Sequence, residues 1–103
     1  TLEAMCLYDA DKLDVLGAIG AARTIAFAAL AGQPSYHEPS ERFLREGKLE
    51  PGEPHSSYHE YLFKLRKVKD KLFTPTGRAI AEHRHKFLTE FYAELQAECR
   101  GER

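Results

Sequence analysis

Residues 7–20 read LYDADKLDVLGAIG. Apolar side chains recur at helical intervals, and three aspartates sit among them. The spacing belongs to a helix whose apolar surface is wide enough to be buried on more than one side. A carboxylate buried with that surface needs hydrogen-bond donors, a cation or a metal. On a helix, residues two apart diverge by roughly 200°. Asp9 and Asp11 therefore face different sides, whereas Asp11 and Asp14 share one. Asp9 shares its face with Met5, Cys6, Leu13 and Leu16. Asp11 shares its face with Leu7, Val15 and Ala18. Periodicity leaves open which acid is buried. A cap or an ion pair with Lys12 or Arg23 would explain the acids as well as a metal would.

The rest of the chain is helical in pattern, and no stretch alternates as a strand would. The spacing predicts a first helix from Leu2 to about Asp14. A second, Gly17 to Ala31, reads GAIGAARTIAFAALA; its small residues would let another backbone or a ligand come close. Residues 33–55 hold four of the five prolines, so they read as a loop, with one helical turn started by Ser40. SYHE at 57–60 has a capping-box pattern, which predicts a third helix from near Ser57 through residue 73. Thr74-Pro75 supplies a cap and a first-turn proline for a long fourth helix to about Cys99. Ile80, Phe87, Leu88, Phe91, Tyr92 and Leu95 are its expected core stripe. The expected class is all-α, a bundle of about four helices. Its parts are a helix pair (1–32), a Pro/Gly-rich loop (33–55), a helical hairpin (56–99) and a short tail (100–103).

Size and charge narrow the function. A chain of 103 residues makes at most one small domain. A net charge of −1 supplies no overall basic field for nucleic acid or an anionic membrane. No apolar run reaches the length of a membrane span, and no signal-peptide pattern is present. Cys6 and Cys99 form no CxxC motif, as expected of reduced thiols in the cytoplasm. Thr1 leads straight into a helical pattern, which reads as the later portion of a longer chain.

Ala10-Asp11-Lys12-Leu13-Asp14, followed by Gly17-Ala18-Ile19-Gly20-Ala21-Ala22-Arg23-Thr24, resembles the last motif of the HD-domain metal-dependent phosphohydrolases. The likeness is to a branch of small bacterial hydrolases. Lys64-Leu65, the run 69–74 (KDKLFT), Gly77-Arg78, Ala81-Glu82, Arg84-His85 and Phe87-Leu88 resemble that branch's closing helices in the same order. The likeness spans most of the chain outside the 33–55 loop. It implies a helical bundle that holds a divalent metal (Mn, Mg, Fe, Co or Ni) and hydrolyses nucleotides or small phosphate esters. In such families a His, a His-Asp pair and a later Asp hold the ion, and the later Asp corresponds to Asp11. Lys12 and Arg23 become candidates for the substrate phosphate, Arg23 by its bidentate fork. This sequence has no His-Asp dipeptide; His37 and His59 are each followed by Glu. The resemblance therefore places the other ligands upstream, and the chain alone is expected to be inactive, with no catalytic residue of its own.

Two other readings remain at this level. The chain could be a non-catalytic helical interaction domain of the same descent, a homo-oligomer or a partner of the upstream half. FTPTGR at 73–78 also suggests the wing of a winged-helix DNA-binding module, which requires strands before Thr74. The basic run 64–71 reads as a solvated face, so nucleic acid is disfavoured. His55 and His59 stand at a chelating interval, yet His55 precedes the expected cap. His83 is expected at the edge of the core, and His85 facing solvent or an acid.

Overall fold

The computed structural model describes residues 1–103. They form five α-helices and one 3-10 helix, with no strand. The helices are α1 (Leu2–Leu13), α2 (Gly17–Leu30), α3 (Glu41–Glu46), α4 (Ser57–Phe63) and α5 (Pro75–Cys99), and the 3-10 helix is Leu65–Lys71. The all-α bundle is as expected. The missing strands exclude the winged-helix reading, because the segment before Thr74 is helical.

Local chemistry explains most boundaries. Thr1 caps α1 through its hydroxyl, which accepts from the Ala4 amide. Ser40, Ser56 and Thr74 cap α3, α4 and α5 in the same way. The α4 cap is thus Ser56, one residue before the capping box marked by the sequence. Proline in the first turn of α5 loses no hydrogen bond there. The third helix is shorter than expected. It breaks at Lys64, and the chain tightens into the 3-10 helix. That form places residues three apart directly above one another, and Leu65 and Val68, both buried, are three apart.

α1 and α2 meet at a bend of 65°. Gly17 makes the turn with φ +68°, a conformation that costs other residues a Cβ clash. Arg84 of α5 lies against it and donates to the Leu13 carbonyl at the end of α1, 3.1 Å away. Gly20 packs so closely on the backbone of Val15 that a methyl group there would overlap it.

The core gathers Leu16, Ala21, Phe43, Leu62, Leu65, Val68, Leu72, Ala81 and Leu88 around three tyrosines. Tyr61 stacks on Tyr92 with centroids 4.6 Å apart, and Tyr58 closes the group. The buried Tyr92 hydroxyl meets Ser57 Oγ at 2.6 Å. In α5 most of the expected stripe holds: Leu88 and Tyr92 are buried, and Phe91 and Leu95 pack against the core. Ala81 and Ala97 are also buried, whereas Ile80 and Phe87 are exposed. His83 is exposed as well, not at the core edge.

Leu2, Leu7, Ile19, Phe27 and Leu30 are also exposed. The apolar excess of α1 and α2 is therefore only partly covered within the chain. No single helix is long and apolar enough to cross a membrane.

Candidate functional site

The three aspartates separate cleanly. Asp9 is the buried one, 3% exposed. Its Oδ1 accepts from the Phe73 amide at 2.9 Å, and its Oδ2 accepts from the Thr74 amide at 2.8 Å and the Thr74 hydroxyl at 2.6 Å. Burial pushes the carboxyl up, but the Thr74 hydroxyl and the two amides outweigh it and leave the group below its ordinary value. Asp9 thus secures α1 to the start of α5. Its donors lie 64 and 65 residues away, so no local pattern could have singled it out.

Asp11 is exposed. Asp14 lies at the helix junction, where its Oδ2 is 3.8 Å from Arg23 Nη1, with both side chains more than half exposed. Such a pair contributes little to stability. The Lys12 ammonium lies 5.2 Å from the Tyr8 ring centroid, in reach of a cation–π attraction. Arg23 and Asp14 are brought together, and Asp11 lies one turn before Asp14 on the same face of α1. No three His, Cys, Asp or Glu side chains converge on a point that could hold a metal. Asp11 belongs to no such group of ligands in this chain.

A cleft of about 450 Å³ opens between α2 and α4. Val15, Phe27, Ala28 and Leu65 form its apolar walls, and Arg23, Thr24, His55, Ser56, Ser57, Glu60 and Lys64 supply its polar groups. Lys64 Nζ is 3.7 Å from Glu60 Oε1, and His55 Nε2 is 3.2 Å from Glu60 Oε2. Arg23, on α2, lines this cleft and also reaches Asp14 at the end of α1.

The 33–55 loop is pinned beside the cleft. Glu53 accepts from the Ser40 amide and hydroxyl, the Glu50 amide and His59 Nε2, at 2.6–2.8 Å. Burial opposes this charge too, but the bonds from His59, Ser40 and Glu50 win and hold the carboxyl well below its ordinary range. His59 is fully buried, and its Nδ1 lies 2.6 Å from Ser56 Oγ. Ser56 Oγ also accepts from the His59 amide. An ionised Glu53 can only accept, so the bond at His59 Nε2 is donated by the ring. Both ring nitrogens are occupied, so His59 is no metal ligand, despite its chelating interval with His55. The loop's first half is tied to the end of α5, where the C-cap residue Arg100 donates to Glu38. That guanidinium, joined by the Tyr36 hydroxyl, holds the Glu38 carboxyl down to about 2. His85 is half-buried beside Glu82 and Glu90 on the surface of α5, and its Nδ1 has no partner.

This helical arrangement defines a class: the chain is similar in fold and sequence to part of the HD-superfamily hydrolases. An HD-superfamily hydrolase from Bacillus thuringiensis has a solved structure that matches 97% of this chain at 31% identity and a TM-score of 0.76. The match covers 47% of that protein. The uncharacterized protein YpgQ of Bacillus subtilis is 33% identical over 101 residues, which are 98% of this chain and 42% of YpgQ. YpgQ has been solved in complex with ADP; that structure matches with a TM-score of 0.71 at 29% identity, over 93% of this chain and 44% of its own. The chain thus spans about half the length of the relatives it matches. No family model matches it.

Proposed function

We propose that this chain supplies the C-terminal part of a metal-dependent phosphohydrolase that acts on nucleotides or other small phosphate esters. Upstream His and His-Asp ligands complete the metal site in this reading. The observation that carries it is the match of nearly the whole chain to one half of HD-superfamily hydrolases. YpgQ's capture with ADP points to a nucleotide. Asp11 contributes the one metal ligand of this half; its carboxylate is exposed and free of competing donors. Arg23 binds the phosphate in this reading, supported by its position in the lining of the α2–α4 cleft and its approach to Asp14. A planar fork suits two phosphate oxygens. Lys12 acts as a second cation beside Asp11, and the apolar walls of the cleft suit the remainder of the ligand.

Amide spectra of the isotopically labelled chain test this reading. ADP is expected to shift Arg23, Thr24 and Lys64, and the shifts should vanish in Arg23→Ala. Mn²⁺ is expected to broaden signals around Asp11, and not to do so in Asp11→Ala. Shifts elsewhere, or equal broadening in the variant, would overturn the assignment.

A second reading, a non-catalytic association domain, is favoured by the exposure of Leu7, Ile19, Phe27 and Leu30 on α1 and α2. Sedimentation distinguishes it. A concentration-dependent dimer lost in Phe27→Ser would support it, and a monomer at all concentrations would refute self-association.

A further inference from the structure

A second concave site lies away from the α2–α4 cleft, and the phosphohydrolase reading makes no use of it. The C-terminal ends of α3 and α4 and the start of the 3-10 helix enclose a pocket of about 200 Å³. Phe43 and Leu62, both buried, line it. Leu44 is 60% exposed at its rim and Phe63 is 49% exposed. Arg45, Arg66 and Lys67 surround them, against one acid, Glu46. Arg45 is answered by Glu46 at 3.3 Å. Arg66 and Lys67 form no ion pair. The Lys67 ammonium lies 5.7 Å from the Phe63 ring centroid instead. Gly47 closes the end of α3 with φ +75°, and a Cβ there would stand 3.0 Å from the Phe63 ring. The glycine thus lets Phe63 form the pocket wall.

We propose that this pocket docks a partner segment in which an apolar side chain is flanked by carboxylates. The volume is on the scale of one large apolar side chain. Exposed Leu and Phe beside unpaired Arg and Lys have the make-up of an interface centre with a charged rim. The surplus positive charge selects an acidic partner and speeds its encounter. A compact phosphate suits the site less well, because apolar side chains and the Glu46 carboxylate share its lining.

The test uses the whole chain and two synthetic peptides sharing a central Leu-Phe pair, one flanked by glutamates and one by lysines. Inorganic pyrophosphate is the third probe. The acidic peptide is expected to shift the amides of Gly47, Phe63, Arg66 and Lys67. Its affinity should fall at least tenfold in Arg66→Glu/Lys67→Glu, and fall with added salt. Both positions are exposed, so the variant retains the fold, which its circular dichroism checks. Equal binding of the lysine peptide, the same shifts with pyrophosphate, or no shift with the acidic peptide would each overturn the proposal. ADP shifts at Arg23 are read in the same spectra, so failure of either reading is seen separately.

Discussion

Gly20→Ala reverses the sign that helix propensity predicts. Gly20 lies inside α2, where alanine is favoured over glycine by about 1 kcal/mol. On propensity alone the substitution stabilises. The structure allows no such gain. A Cβ at position 20 would stand 3.1 Å from Val15 Cα and overlap the Val15 carbonyl group outright. Neither neighbour is a flexible side chain that can swing away. The α1–α2 bend must open, which strains Leu16, fully buried, and the Arg84 bond to Leu13. Overpacking of this kind costs about 1–3 kcal/mol, and backbone-to-backbone contact puts the cost at the upper end, about 3 kcal/mol. Subtracting the propensity gain leaves a net loss of about 2 kcal/mol. For a chain of this size that lowers Tm by roughly 8 °C or more. Thermal unfolding followed by circular dichroism measures it, with exposed Ala29→Gly as a propensity control. A Gly20→Ala protein with an equal or higher Tm would refute the reasoning, because the two backbones would then have room between them.

Asp9→Asn is expected to lower Tm far more than Asp11→Asn, since only Asp9 holds the Phe73 and Thr74 donors; equal losses on thermal unfolding would show that Asp9 is no clamp. Tyr92→Phe removes the buried bond to Ser57 and should cost about 1 kcal/mol in a urea titration; an unchanged midpoint would mean the pair adds nothing. Glu38 falls from 4.5 to about 2 on folding. Its stabilisation is complete above the unfolded value and disappears as pH falls through the folded one. Asp9 and Glu53 are displaced in the same direction. The urea midpoint should therefore drop as pH falls from about 4.5 toward 2, and Glu38→Gln should flatten part of that drop; an identical acid profile in the variant would refute the linkage.

What could be read in advance was short-range. Thr74-Pro75 marks the start of α5 because a cap and a first-turn proline act within three residues. Ser40 marks the turn of α3 for the same reason. Ser56 and Ser57 both satisfy the local cap rule, and only the backbone of the folded chain makes Ser56 the cap. The break at Lys64 was hidden because an α-helix and a 3-10 helix tolerate the same apolar spacing over one or two turns. Helical spacing marks Ile80 and Phe87 as core beside Leu88 and Tyr92, but only the packing of α5 on its neighbours leaves those two exposed. The likeness to the hydrolases was legible as an ordered series of short motifs. It named Asp11 and could not show where that residue points.

By itself, the sequence settled the helical class, the small-residue surface of α2 and the separation of Asp9 from Asp11 and Asp14. All three follow from helical geometry acting on neighbours. Only the tertiary structure decided which aspartate is buried. Asp9 can be ionised inside the protein because two amides and a hydroxyl from residues 73 and 74 arrive beside it, and nothing near Asp9 in the chain announces them. The same holds for Glu53, whose charge is kept by donors from Ser40, Glu50 and His59. Asp11, left exposed with no partner in this chain, is for that reason the acid still free to bind something else.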